Sequence, residues 1–213
     1  MRATFRSTVS VFAALLSLVV LAPSPARAQT RHRVLILGDS VFSVFRWAPA
    51  SQQPLWKHGY DVVNEAWGCQ ALLTAGCPGS GGKSALERLI DHRGDRIDVI
   101  VVGTGYNDVD EGTLRQGMKK IVTEARRTGI PVVWATYVEG GNVRKKARAF
   151  NAVVRSEASH HDNVTVAEWG AHAKGHRKWF NGDSIHLNGA GGRQLGIFLA
   201  AELDNCLAAQ DGG

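Results

Sequence analysis

The sequence predicts a three-layer α/β/α sandwich built on a five-stranded parallel sheet. Two observations lead there. Five short aliphatic runs recur along the chain, and most are apolar at successive positions rather than at alternate ones, the mark of strands buried on both faces. Helix-length segments of mixed polarity separate them, long enough for the crossovers that parallel neighbours require.

In chain order, strands are expected at Val34–Leu37, Asp61–Asn64, Val99–Val102, Val132–Thr136 and Val164–Ala167. Helices are expected at Phe42–Lys57, interrupted by Pro49 and Pro54, and at Ser84–His92, Glu111–Thr128 and Val143–His160, with a last one from about Asn188 to Leu207. Such an alternation covers both faces of one sheet and defines a single domain of flavodoxin-like class. Neither an internal repeat nor a low-complexity linker divides it.

The first 28 residues are read apart from this domain, which spans 29–213. Arg2 and Arg6 precede an apolar stretch from Val9 to Ala22, and Ala26-Arg27-Ala28 follows. A positive end, an apolar middle short for a membrane span and an A-x-A site are the layout of a secretory signal peptide. A secreted or periplasmic protein without stable membrane insertion is therefore expected. Removing the three arginines of this segment from 25 basic residues leaves 22 against 19 acidic ones, a formal charge of +3. That imbalance is too small for a nucleic-acid partner, which calls for a clustered basic stripe.

In open parallel sheets the ligand crevice lies beyond the carboxyl ends of the strands. The first strand ends in Gly38-Asp39-Ser40, the second runs into Gly68, and the third ends in Gly105-Tyr106-Asn107-Asp108. Near the C-terminus Asp183 and His186 lie three apart in a turn before the last helix. Ser40 alone reads more readily as a helix cap than as a nucleophile. Together these residues supply what acyl transfer needs. A serine hydroxyl is a weak nucleophile until a base takes its proton, which an imidazole, with a pKa of about 6.5, does near neutral pH. His186 is the candidate base, Asp183 the carboxylate that would orient it. The Ser40 amide, the Gly68 amide and the Asn107 side chain are candidate donors to the oxyanion.

These four blocks resemble those of the SGNH hydrolases, the GDSL-type esterases and lipases, in order and spacing over nearly all of residues 29–213. The resemblance implies a flavodoxin-like sandwich, no cofactor, a Ser40-Asp183-His186 triad, and an oxyanion hole from Ser40, Gly68 and Asn107. Many relatives read Asp-Gly-x-His in the last block, where this chain has Asp183-Ser184-Ile185-His186. The strings GDSV, WGCQ and DSIHL are similar to those of secreted acyl-sugar esterases and cell-wall O-acetyltransferase domains. The α/β-hydrolase elbow Gly-x-Ser-x-Gly is excluded, because Phe42 stands at its final glycine.

The expected activity is hydrolysis of a short-acyl or acylated-carbohydrate ester through an acyl-enzyme, by a monomer. Two alternatives use the same fold: an O-acyltransferase acting on a polysaccharide, and a non-catalytic carbohydrate-binding domain. Of the three cysteines, Cys69 and Cys77 are expected to pair. The last helix carries Cys206 roughly 25–30 Å from the rim at 1.5 Å per residue, beyond the reach of a disulfide.

Other motifs carry less. Gly76–Ser84 has Cys77 where a phosphate-binding loop needs its first glycine. Glu168, His172 and His176 have the spacing of metal ligands on a helix, but Gly170 and Gly175 interrupt them, so a solvated loop and no metal are expected. Asp108 reads as a local turn residue. Arg144, Lys145, Lys146 and Arg148 read as a solvated helix face, or as a holder for an anionic part of the substrate.

Overall fold

The computed structural model describes residues 31–77 and 82–211, so the expected leader, residues 1–28, lies outside the described residues. Five strands, β1 (His32–Gly38), β2 (Tyr60–Ala66), β3 (Val99–Gly103), β4 (Val132–Ala135) and β5 (Val164–Ala167), form one sheet in the order β2-β1-β3-β4-β5. All its pairings are parallel. The helices are α1 (Val44–Trp47), α2 (Gln53–Lys57), α3 (Ala85–Asp91), α4 (Glu111–Arg127), α5 (Arg144–Ala158), α6 (Trp169–His172) and α7 (Gly189–Asp211).

Successive residues of β1 point to opposite faces, and each face has its own core. Val34 and Ile36 pack with Phe45 of α1, Leu55 of α2 and Leu195, Leu199 and Leu203 of α7. Leu35 and Leu37 pack with Leu89 of α3, Leu114, Met118 and Ile121 of α4, and Phe150 and Val154 of α5. Both faces are thus closed to water, which is why the strands read as unbroken apolar runs.

Among the described residues side chains fix three helix starts, that of α7 through Asn188 Oδ1, which accepts from the Gly191 amide at 3.0 Å. Ser84 and Glu87 form a reciprocal capping box at α3, and Asp110 accepts from the Thr113 amide at 2.8 Å at α4. The segment expected as one interrupted helix, Phe42–Lys57, is instead α1, a 3₁₀ turn at Pro49–Gln52, and α2. Pro54 does not interrupt a helix. It is the second residue of α2, where a missing N–H leaves no bond unmade. The helix expected over Val143–His160 begins after a 3₁₀ turn and ends at Ala158, and the last helix continues to Asp211. Helix α6 and a 3₁₀ turn at Arg177–Trp179 occupy a stretch read as loop.

Register sets the functional rim. Gly38 at the end of β1 lies level with Ala66 of β2 and Gly103 of β3, so the chains leaving these three strands emerge at one height. Among the described residues no helix is long and apolar enough to cross a membrane.

Candidate active site

Ser40 lies in the tight turn that follows β1. The turn is held by its neighbours: the Val41 amide donates to Asp39 Oδ1 at 3.0 Å, the Ser43 amide to the Asp39 carbonyl at 2.9 Å, and Ser43 Oγ to the Ser40 carbonyl at 2.7 Å. The helix that follows, α1, has no side-chain cap, so the Ser40 hydroxyl is not engaged in capping it. Ser40 Oγ instead lies 2.9 Å from His186 Nε2, and His186 Nδ1 lies 2.5 Å from Asp183 Oδ2. With Nδ1 protonated, the ring donates to Asp183 and accepts from Ser40.

Asp183 is held as firmly as it holds the ring. Its Oδ1 accepts from the backbone amides of Ile185 and His186, both at 2.9 Å. Ser184, at φ 60°, completes this turn in the left-handed region. Burial raises the Asp183 carboxyl, but the His186 side chain and these two amides outweigh it and hold it below the usual carboxylate range.

Besides the Ser40 amide after β1, the candidate oxyanion donors come from the loops after β2 and β3. The Trp67 amide donates to the Gly38 carbonyl at 2.9 Å, which seats the chain before Gly68 against the end of β1. A Cβ built at Gly68 meets no protein atom within 4 Å, so nothing inside the fold requires glycine there. Cys69 and Cys77 form a disulfide that closes this loop, while Cys206 is free and buried. Asn107 Nδ2 donates to the Gln70 carbonyl at 3.1 Å, which ties the third block to the Gly68 loop and leaves the amide a second hydrogen. Gly105, at φ +148°, makes the close approach before Asn107: a Cβ there would sit 2.0 Å from the Tyr137 hydroxyl.

Sequence reasoning assigned no role to three residues that support this arrangement. Asp39 is fully buried and bridges two loops, accepting from Val41 through Oδ1 and from the Tyr106 amide, at 3.3 Å, through Oδ2. Its signal was an acid adjoining the serine at a strand end. Thr104 Oγ1 donates at 2.7 Å to the Gln70 carbonyl that Asn107 also uses. Neither Thr104 nor Gln70 carries a local signal, because their contact joins segments 34 residues apart.

The profile of the GDSL-like lipase/acylhydrolase family matches residues 36–194. The chain belongs to that family. Its class is therefore that of a carboxylic ester hydrolase of SGNH type. No curated protein matches the sequence. Among solved structures, TesA superposes with a TM-score of 0.67 at 19% identity, covering 82% of this chain and 99% of its own. The psychrotrophic esterase EstA from Pseudoalteromonas sp., inhibited by monoethylphosphonate, gives 0.66 at 13% identity, covering 83% and 99%. AlinE4, an SGNH-hydrolase family esterase, gives 0.57 at 18% identity, covering 86% and 98%. At these identities the likeness is one of fold.

Two readings of this GDSL-like chain need correction. Asp108 does more than close a local turn: its amide donates to the Gly105 carbonyl at 3.0 Å, while its buried Oδ2 accepts from the Leu72 amide at 3.1 Å, tying the third block to the loop after β2. Burial pushes its carboxyl up to about 6, against that bond and the charge of Lys146. The stretch holding Glu168, His172 and His176 is solvated, as expected, but it is not an irregular loop: α6 and the 3₁₀ turn at Arg177–Trp179 order it. Glu168 takes a two-pronged bond from Arg155, while His172 and His176 stack on Trp179, with ring centroids 5.8 and 3.8 Å away. The basic cluster divides: Lys145 is exposed, whereas Lys146 Nζ donates to the Tyr106 carbonyl at 3.0 Å and Arg148 to Glu139.

Proposed function

We propose that the protein is an exported serine esterase that cleaves a short-acyl or acylated-carbohydrate ester through an acyl-enzyme. The observation that carries this reading is the unbroken line from Ser40 Oγ through His186 to Asp183. Ser40 Oγ attacks the ester carbonyl carbon as His186 Nε2 takes its proton. The oxyanion is met by the Ser40 and Gly68 amides and by Asn107 Nδ2. As the tetrahedral intermediate collapses, His186 returns the proton to the departing alcohol oxygen. Water, deprotonated by the same ring, then attacks the acyl-enzyme, and as this second tetrahedral intermediate collapses the bond to Ser40 Oγ breaks, the ring returns the proton to Oγ and the acid is freed. Asp183 stays ionised and steadies the imidazolium at each step.

The openness of the site favours water over a sugar hydroxyl as acceptor. The His186 and Asp183 side chains are 44% and 45% exposed, so bulk water reaches the acyl-enzyme, which a transferase must prevent. Export is supported by the leader layout of residues 1–28 and by the Cys69–Cys77 bond, which suits an oxidising compartment.

Hydrolysis of short and long nitrophenyl esters by the wild type and Ser40→Ala tests the reading. Wild type is expected to prefer the short ester and release free acid, and Ser40→Ala to lose activity by ~10⁴-fold or more. Activity retained in the variant overturns it. Acetyl sugar in place of acetate, when a sugar is supplied, would make the protein a transferase.

A further inference from the structure

A cavity of about 790 Å³ is bounded by the chain after β4, one stripe of α5, the chain around and after α6, and Ser184 of the Asp183–His186 turn. Its volume falls within the roughly 300–1,000 Å³ of small-molecule sites. Five cations line it, Arg144, Arg148 and Arg155 from α5 with Lys174 and Arg177, against a single carboxylate, Glu139. The three α5 arginines recur at spacings of four and seven, which places them along one side of the helix. Two are neutralised locally. Arg148 Nε donates to Glu139 at 3.0 Å, and Arg155 bridges both oxygens of Glu168 at 2.7 Å. Arg144, Lys174 and Arg177 pair with no carboxylate among the described residues.

Unpaired cations gathered in a concave site repel one another and focus a positive potential into it. Helix α5 adds to this, since its first turn holds cations and no acid, against the helix dipole. An oxyanion in the cavity would offset both costs, and guanidinium groups suit a carboxylate or phosphate through paired N–H donors.

The cavity also adjoins the candidate active site. A Cβ at Gly140 would lie 2.2 Å from the Ser184 carbonyl oxygen and one at Gly141 2.5 Å from that of Asp183. Backbone therefore packs directly on backbone, and Ser184, which lines the cavity, separates it from Asp183 by one residue. The Asp183–His186 turn is a wall common to both.

We propose that this cavity is an anion subsite that holds the carboxylate or phosphate of an acidic saccharide. That the saccharide is the substrate, with its ester at Ser40, rests on the serine-esterase reading above. Binding is measured by calorimetry on Ser40→Ala, with trigalacturonate, neutral maltotriose and inorganic phosphate as probes. Trigalacturonate is expected to bind at low salt and weaken as salt screens the charges. The triple change Arg144→Gln, Lys174→Gln, Arg177→Gln should weaken it about tenfold. Glu139→Gln, which releases Arg148, should strengthen it a few-fold, a gain that misfolding cannot imitate. Maltotriose binding as tightly as trigalacturonate, or neither trigalacturonate nor phosphate binding, overturns the subsite. Phosphate binding alone assigns the cavity to a free anion and overturns the saccharide. If trigalacturonate binds with this charge dependence while no Ser40-dependent hydrolysis is found, the subsite stands and the catalytic reading falls. If both hold, the ratio of kcat/KM for an acidic over a neutral acetylated sugar should drop about tenfold in the triple variant.

Discussion

Asp39 lies fully buried beside Ser40, with one oxygen on the Ser40 turn and the other on the loop that carries Asn107. Burial pushes its carboxyl up to about 7, against the amides of Val41, Tyr106 and Gly105 and the charge of His186. An aspartate in an unfolded chain titrates near about 3.9, so between those values the folded protein holds a proton that the unfolded chain releases. Stability should therefore fall as pH rises from about 4 through 7, by at most about 1.4 kcal/mol per pH unit for one proton. Asp183 acts in the opposite sense and in a lower window: its depressed carboxyl stabilises above the unfolded value and loses that contribution as pH falls through its own. Denaturant unfolding from pH 5 to 8 should show a flatter profile for Asp39→Asn than for wild type, whatever the change in overall stability. Equal slopes would contradict the burial argument. Under the proposed function Asn107 belongs to the chemistry itself. Asn107→Ala should fold, because Thr104 still donates to the Gln70 carbonyl that loses a donor. It should lose ~10²-fold in kcat with little change in KM; a loss confined to KM would remove Asn107 from the oxyanion hole.

At the scale of elements, what the sequence made legible depended on how local the cause was. The strands were readable because burial on both faces leaves a continuous apolar run, and α3 and α4 because their caps lie beside them in sequence. Helix α6 and the turn at Arg177–Trp179 were not, since four- and three-residue turns carry no periodicity and their order comes from the stack of His172 and His176 on Trp179. The four chemical blocks were legible as residues, whereas the long-range ties of Asp39, Gln70 and Asp108 appear only once the loops are brought together. The loop after β2 shows the two kinds of cause at once. Its disulfide was foreseeable from chain length and reach, and Cys69, at φ 66°, sits next to Gly68 in a left-handed conformation that a non-glycine residue adopts at a cost. The bond stabilises by about 2–3 kcal/mol in the chain-entropy model, but its larger effect should be on the position of the Gly68 amide. The double change Cys69→Ser, Cys77→Ser should lower kcat by up to ~10²-fold at temperatures where circular dichroism still reports a folded domain. Undiminished turnover in the folded variant would show that the tether does not position the donor.

For the molecule as a whole, the parallel register delivers the chains after β1, β2 and β3 to one rim, and the turn before α7 brings His186 to the same place. Helix α7 then runs the length of the sheet and buries Cys206 near its far end, with Thr165 of β5 beside it. This leaves the thiol remote from the oxidised pair. Expressed with its leader in an exporting host, the protein should begin at Gln29, as N-terminal sequencing would show; a secreted chain that keeps Met1 would contradict the leader. The central claim, a serine nucleophile at Ser40, is tested most directly by treating the wild type with a serine-reactive alkyl phosphonate and locating the adduct by peptide mass mapping. The account predicts one adduct per chain, on Ser40, forming in step with the loss of esterase activity and absent after His186→Ala; an adduct on another residue, or full activity in fully labelled protein, would contradict it.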